Sequence, residues 1–226
     1  ASSGLVYDER RRIGTYLGAL PGTSVLLPWA PTAGMLLQYF RDAFAPEWAY
    51  PTMDRLAAAV PPGSDGLTLL PHAAGSVSPV TNPDARAVLY GLTLTHRREH
   101  IVRAILEAVA YLVKDQLDML AGAGVLAREL RALGGGAESA LWLQIKADVL
   151  GLPVIRTACR EATGLGAAIL GAVAAGDFAD GGAAAGQMIR IRDRFVPGAD
   201  ASVYRRHYRQ YQTIDQLLMP TFGAKS

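Results

Sequence analysis

Leu133-Gly134-Gly135-Gly136-Ala137 is the stretch of this sequence that says most about its fold. It follows residues 129–133, a short and partly apolar run that predicts a β-strand. It precedes residues 139–150, whose apolar side chains recur three and four positions apart and predict an α-helix. Glycine permits positive φ and lets a ligand approach without a Cβ in the way, and a helix start offers unpaired N–H groups. The pattern favours a nucleotide site, although glycine runs also occur in ordinary loops.

Length and composition set the class of protein. The 226 residues suffice for one large domain or two small ones, and 50% of them are hydrophobic, which is enough for a core. No apolar stretch reaches the roughly 18 residues of a membrane span, and the start does not resemble a secretion signal. One cysteine, Cys159, excludes an internal disulfide framework and fits a reducing compartment. We therefore expect a cytoplasmic globular protein without a membrane partner.

Charge gives no indication of a nucleic-acid partner. The net charge is +2, and the arginines are scattered apart from Arg10-Arg11-Arg12, which a solvated turn between two apolar runs explains. The chain begins Ala1-Ser2-Ser3 without an initiator methionine. We interpret it as a fragment that starts within a folded region, although a processed terminus would look the same.

Apolar runs separated by turn residues predict strands, and stretches of helical periodicity predict helices. The predicted strands cover residues 4–7, 15–20, 25–30, 67–71, 87–92, 129–133, 152–156 and 188–192. The predicted helices cover residues 32–44, 52–60, 97–120, 139–150, 161–175 and 201–218. The first three strands suggest an antiparallel meander, Thr32 is the expected cap of the first helix, and residues 181–186 form a loop or short helix. The small residues of the helix at 161–175 suggest close packing against another backbone.

Several of these segments, in this order, resemble the C-terminal domain of the FGGY carbohydrate kinases. The strand at 87–92, a fixed gap and the helix from His100 to Glu107 are similar to the family's second signature. Residues 82–86, Asn-Pro-Asp-Ala-Arg, look like the family's Asp-Pro-x-Ala-Arg stretch. Residues 134–144 resemble its adenosine loop, and residues 161–168 resemble a late family helix. The resemblance covers nearly the whole chain.

The resemblance implies an α/β fold, an actin-like or ribonuclease H-like ATPase lobe with a mixed sheet flanked by helices. Residues 1–226 would form the C-terminal, ATP-binding domain, and the sugar-binding lobe would lie outside this chain. The implied reaction is phosphoryl transfer from ATP, with Mg²⁺, to a sugar hydroxyl. In this family the base aspartate and the metal-linked acidic residue belong to the other lobe. We therefore expect no catalytic residue and no metal ligand here, and partners limited to ATP or ADP and a sugar.

The resemblance also implies which residues touch the nucleotide. Those of the adenosine loop are Gly134, Gly135, Gly136, Ala137 and Ser139. Those of a phosphate-contacting strand turn at the start of the lobe are Ser2, Ser3 and Gly4. Gln38 matches a helix glutamine that approaches the nucleotide in glycerol-kinase-like members.

Two departures from the family pattern keep a second interpretation open. The family's Gly-Thr is here Ala1-Ser2, and its Gly-Glu-Arg-x-Pro loop is here Gly75-Ser76-Val77-Ser78-Pro79, without the charged pair. A degenerate lobe that binds a nucleotide or a partner without catalysis is therefore the alternative. The surroundings of Leu70-Pro71-His72 resemble the ketopentose kinases, xylulose kinase above all, with another sugar or a polyol left open. An isolated lobe would also expose an apolar face, which predicts self-association, for example as a homodimer.

Other polar residues are predicted to be structural. The histidines show no metal spacing and are expected at the surface or at helix caps; they are His72, His96, His100 and His207. Glu107 and Glu161 are expected to brace a loop or lie at the surface. The tyrosines at helical spacing, Tyr204, Tyr208 and Tyr211, are expected in the core.

Overall fold

The computed structural model describes residues 2–3, 6, 8–10 and 12–223 of the chain. Its strands are β1 (Ser2–Ser3), β2 (Gly14–Leu17), β3 (Thr23–Leu27), β4 (Thr68–Leu70), β5 (Val88–Tyr90), β6 (Leu130–Ala132), β7 (Val154–Thr157) and β8 (Ile191–Phe195). Its helices are α1 (Gly34–Phe44), α2 (Tyr50–Ala58), α3 (Arg98–Gly122), α4 (Ala140–Leu150), α5 (Ala162–Ala174), α6 (Gly181–Met188) and α7 (Ala201–Leu218). The predicted α/β alternation is confirmed.

The described strands form separate small sheets. The first is antiparallel with the order β1-β3-β2, and the second is the antiparallel pair β4-β5. The third has the order β6-β7-β8, in which β6 and β7 are parallel and β7 and β8 are antiparallel. This third sheet is the expected mixed sheet, and α4 is the crossover helix between its parallel strands.

Three local predictions are wrong. The first sheet is not a meander, because β2 and β3 form a hairpin and β1 pairs with the other edge of β3. The strand predicted at 4–7 falls on residues 4, 5 and 7, which lie outside the described residues. Thr32 does not cap α1, since its hydroxyl donates a hydrogen bond to the carbonyl of Pro71 and Ala33 takes the cap position. Met188 belongs to α6, which Asp180 caps through a 2.8 Å bond from the Ala183 N–H, so the last strand begins only at Ile191.

Helix α3 runs through the centre of the core. Every residue from 102 to 112 is buried, including Arg103 and Glu107. The periodicity predicts one buried apolar face, whereas this part of α3 is buried on all sides. Helix α1 packs Leu36, Leu37 and Phe40 into the same core cluster. Each such side chain contributes about 1.5–3 kcal/mol on burial. The face of α1 that carries these residues is therefore fixed against the core.

A buried polar network joins α3 to its neighbours. Glu107 Oε1 accepts hydrogen bonds from Arg103 Nε at 2.8 Å, from the Gly63 N–H at 2.9 Å and from the Tyr204 hydroxyl at 3.2 Å. Glu107 Oε2 accepts from the Ser64 hydroxyl at 3.0 Å. The carboxylate braces the turn that follows α2, one of the two roles expected for it.

Other structural expectations have mixed outcomes. Tyr204 and Tyr211 are each 1% exposed, which confirms their place in the core. His72 is not at the surface: it is 4% exposed, and its Nε2 lies 2.7 Å from Asp215 Oδ1 on α7. Gly166 and Gly171 of α5 do not contact another backbone, since a Cβ added at either would meet no atom within 4 Å. Within the described residues, no helix is both long and apolar enough to cross a membrane.

Candidate functional site

The glycine loop leaves the mixed sheet at the end of β6. Gly134 has φ 73° and ψ −166°, a backbone conformation that is essentially restricted to glycine. Residues Gly135–Ala137 form a single 3-10 turn, closed by a 3.0 Å bond from the Ala137 N–H to the Gly134 carbonyl. Ser139 then caps α4, because its Oγ accepts a 3.0 Å hydrogen bond from the Trp142 N–H. The loop thus places the start of α4 directly after the sheet.

Arg156, on strand β7, holds the glycine loop through hydrogen bonds of its side chain. Its Nη1 donates to the carbonyls of Ala137 at 3.1 Å and Glu138 at 3.2 Å. Its Nε donates to Asp193 Oδ2 on β8 at 2.6 Å, and the residue is 8% exposed. Sequence reasoning missed this residue. The available signal was a single arginine at the end of the apolar run Pro153-Val154-Ile155.

A cavity of about 620 Å³ lies between α1, α2, the glycine loop and the first turn of α4. This volume is within the roughly 300–1,000 Å³ of small-molecule sites. The lining residues are Gly34, Leu37, Tyr50, Pro51, Asp54, Gly135, Gly136, Glu138, Ser139 and Trp142. A Cβ added at Gly135 would meet no protein atom within 4 Å. Bare backbone on one side and apolar side chains on the other suit a flat aromatic ring.

Trp142 is a buried wall of the cavity whose ring is fixed by a hydrogen bond. It is 4% exposed, and its Nε1 donates a 2.9 Å hydrogen bond to the Leu106 carbonyl on α3. A Cβ at Gly136 would lie 3.1 Å from the Trp142 ring, so glycine lets the loop rest on the indole. Lys146 Nζ lies 4.0 Å from the ring centroid, and burial lowers the pKa of this lysine to about 8.

Asp54 and Glu138 are the carboxylates that line the cavity. Glu138 is exposed and paired, with Arg160 at 2.8 Å and Arg192 at 3.8 Å. Asp54 is half-buried, and burial raises its pKa while a hydrogen bond from the Ser139 hydroxyl opposes that rise. The two carboxylates therefore differ in solvation and in partners.

The structure brings some of the expected site residues together and leaves others apart. Gly135, Gly136 and Ser139 line the cavity, and Gly134 and Ala137 shape the loop behind it. Gln38 is exposed on α1, one helical turn beyond the cavity-lining Gly34. Ser2 and Ser3 form β1, opposite Ser24 and Thr23 in the first sheet, and Gly4 lies outside the described residues.

Sequence reasoning missed the opposite wall of the cavity. Its members Leu37, Tyr50, Pro51 and Asp54 belong to α1 and α2, which tertiary packing brings to the loop from about 80 to 100 residues away along the chain. No local pattern marks them. Trp142 could have been found, because it lies three positions after Ser139 and so on the same face of α4.

The fit of a nucleotide and of a metal can be judged from these residues. The cavity's size, apolar walls and side-chain-free loop fit a nucleoside. Among the described residues, no three His, Cys, Asp or Glu side chains are grouped so that they could hold a metal ion. The described part of the chain therefore contains no such group of side chains to coordinate Mg²⁺.

The chain is similar to known carbohydrate kinases. The family model for the FGGY family of carbohydrate kinases, C-terminal domain, matches residues 7–175. Xylulose kinase of Bacillus subtilis is 30% identical over 183 residues, which are 80% of this chain and 37% of that protein. Glycerol kinase of Citrifermentans bemidjiense is 35% identical over 204 residues, which are 88% of this chain and 41% of that protein. The crystal structure of xylulose kinase from Rhodospirillum rubrum superposes with a TM-score of 0.84 at 31% identity, covering 93% of this chain and 43% of that one.

These similarities define the class: the fold is that of an actin-like sugar-kinase lobe. The chain belongs to the FGGY family of carbohydrate kinases, and its match lies in the family's C-terminal domain. It spans roughly two fifths of the length of the relatives it matches.

Proposed function

We propose that residues 1–226 are the ATP-binding lobe of a sugar kinase, with the sugar-binding lobe outside these residues. The observation that carries the proposal is the cavity of about 620 Å³ between the glycine loop and α2. Family membership supports the same reaction class. ATP, accompanied by Mg²⁺, would supply the phosphoryl group that is transferred to a sugar hydroxyl.

The residues of this chain bind and orient the nucleotide. The purine ring lies against the apolar walls formed by Leu37, Pro51 and Trp142, where burial of its faces favours binding. The glycines admit the nucleotide close to the backbone because they present no side chain to the cavity. Ser2, Ser3 and Gly4 remain proposed contacts of the phosphates, and Gln38 remains a proposed contact of the nucleotide.

Catalysis by such a lobe rests on positioning. Phosphoryl transfer needs the reacting groups held in line and the charge stabilised, while an aspartate accepts the proton of the hydroxyl. In our proposal that aspartate comes from the other lobe. The contribution of this chain is to fix the nucleotide on a rigid support, the Trp142 ring and the loop braced by Arg156.

A ketopentose such as xylulose is the proposed acceptor. The resemblance of the segment around Leu70-Pro71-His72 to ketopentose kinases and the similarity to a B. subtilis xylulose kinase support this choice. Relatives of similar identity include glycerol kinases and a gluconokinase of B. subtilis, so a polyol or a sugar acid is the competing acceptor class.

A second candidate function is a lobe that binds nucleotide but catalyses nothing. One observation favours it: the loop Gly75-Ser76-Val77-Ser78-Pro79 carries no charged residue where the family pattern has two. Phosphorylation of xylulose, glycerol or gluconate by the complete kinase would eliminate this candidate. Nucleotide binding without turnover on any of the three would establish it.

Calorimetric titration with ADP tests the binding proposal. We expect micromolar to low-millimolar binding that Gly135→Val abolishes, because valine would fill space that belongs to the ligand. Gly186→Val is the matched control: Gly186 lies on α6, does not line the cavity, and a Cβ there also meets no atom within 4 Å. Equal ADP affinity in the unaltered chain and in Gly135→Val would refute the placement of the site.

A further inference from the structure

Among the described residues, Asp54 is a carboxylate without a cationic partner, and it lines a largely apolar cavity. It is half-buried on α2, and in the part of the chain that the structure describes its pKa reflects only burial and one neighbour, the Ser139 hydroxyl. Desolvating a carboxylate is unfavourable unless hydrogen bonds compensate it. The other carboxylate that lines the cavity, Glu138, is exposed and paired with Arg160 and Arg192. Because Glu138 has cationic partners and Asp54 has none among the described residues, we expect a group of the ligand to be the partner of Asp54.

Ser139 lines the same cavity and is the polar neighbour of this carboxylate. Its Oγ accepts the 3.0 Å hydrogen bond from the Trp142 N–H, so one lone pair is used for capping α4 and the hydroxyl hydrogen is available to Asp54. An ionised carboxylate has about four acceptor sites, and one hydroxyl satisfies only one of them. Asp54 therefore still has acceptor capacity in the cavity that it lines.

We propose that Asp54, which lines the cavity, accepts a hydrogen bond from a donor group on the nucleoside part of the bound nucleotide. This inference rests on the proposed function. A carboxylate is acceptor-only and negatively charged, so it selects hydroxyl or amino groups and repels phosphate. Asp54 therefore fixes the direction in which the nucleotide lies, with the nucleoside at α2 and the phosphates away from it. The donors available on adenosine are the ribose hydroxyls and the exocyclic amino group of the base.

Ligand analogues combined with Asp54→Asn identify the donor. The ligands are ADP, 2′-deoxy-ADP, 3′-deoxy-ADP and inosine diphosphate, which lacks the amino group, each titrated by calorimetry. We expect Asp54→Asn to weaken ADP binding about tenfold or more, since the substitution removes the charge that strengthens this hydrogen bond. The analogue that lacks the donor should lose a similar factor on the unaltered chain and little further on Asp54→Asn.

Asp177→Asn is the matched control, because it removes the same charge from an exposed turn after α5 that does not line the cavity. Thermal unfolding of each variant verifies that the fold is intact. Unchanged or tighter ADP binding by Asp54→Asn, with Gly135→Val still abolishing binding, would overturn the role of Asp54 and leave the proposed function standing. Absence of ADP binding by the unaltered chain would overturn both.

Discussion

The backbone of Gly134 decides where the glycine loop turns. At φ 73° and ψ −166° a side chain is strained even though space is available, since a Cβ there meets no atom within 4 Å. We predict that Gly134→Ala lowers the free energy of unfolding by about 1–3 kcal/mol in urea denaturation. Gly186→Ala, inside α6, should instead be neutral or stabilising by up to about 1 kcal/mol. Equal effects of the two changes would mean that the loop does not adopt this conformation.

Asp115 makes the stability of the chain depend on pH. Burial raises its pKa to about 6, with smaller contributions from the charges of Asp118 and Asp215, although Tyr208 and Gln212 donate hydrogen bonds to it at 2.6 and 3.1 Å. The folded chain therefore holds this proton more tightly than the unfolded chain, whose carboxyl titrates near 3.8. The stabilisation is complete below about pH 4 and is lost as pH rises through about 6.

We predict that Asp115→Asn flattens this dependence. The free energy of unfolding is measured for both proteins from pH 4 to 7. The value for Asp115→Asn minus the value for the unaltered chain should become more positive as pH rises. Asp177→Asn, an exposed carboxylate after α5, serves as the control and should show no such trend. A constant difference across the range for Asp115→Asn would contradict the account.

At the scale of single residues, the sequence predicts the residues that form one wall of the cavity and not those that form the other. Gly135, Gly136 and Ser139 could be predicted because they are contiguous and resemble a known loop. Asp54 and Tyr50 could not, because they line the cavity only after α2 has packed beside α4. The burial of His72 was equally unpredictable, since its partner Asp215 lies 143 positions away.

At the scale of elements, Arg156 links two strands to the loop that they position. Replacing it by methionine keeps the buried stem but removes the bonds to the Ala137 and Glu138 carbonyls and to Asp193. We predict that Arg156→Met lowers the free energy of unfolding by about 2–3 kcal/mol and also weakens ADP binding. Arg160→Met removes only an exposed pair with the Glu138 side chain and should cost less than about 1 kcal/mol. A stability loss without any change in ADP affinity would show that Arg156 does not position the loop for binding.

Long periodic elements were the most predictable, and short strands the least. Helix α3 was expected at 97–120 and is found at Arg98–Gly122, because its apolar spacing extends over many turns. The expected strand at 188–192 was wrong at its start, because Met188 is the last residue of α6 and the strand begins at Ile191. The strand order β1-β3-β2 depends on which edge of β3 is free, and a list of apolar runs does not contain that information.

At the scale of the whole molecule, the first sheet leaves large apolar side chains exposed. Tyr16 and Leu17 are 57% and 87% exposed on β2, and Trp29 is 55% exposed after β3. Adjacent strand residues point to opposite faces, so β2 has an apolar side chain exposed on each face. This supports the expectation of self-association.

Light scattering over a concentration series measures that association. We predict an apparent mass above the 24.0 kDa of the monomer at high concentration, reduced by Leu17→Ser. Leu126→Ser is the control, because Leu126 is also exposed, at 78%, but lies between α3 and β6. A monomer at every concentration, or equal effects of the two changes, would contradict the prediction.

The class of the fold could be derived from the sequence, whereas its division into separate sheets could not. The resemblance of residues 82–107 and 134–168 to family segments fixed the kind of lobe, and the structural comparisons confirm it. The grouping of strands depends on contacts between distant segments, such as Leu130 opposite Val154. The cavity is likewise a property of assembled elements.

A crystal structure of the chain with ADP is the most direct test of the central claim. The account predicts the adenosine between Pro51 and the Gly135–Gly136 backbone, with one nucleoside donor on Asp54 and Trp142 beside the base. ADP bound elsewhere, for example in the 290 Å³ cavity beside Arg103 and Asp148, would contradict the account.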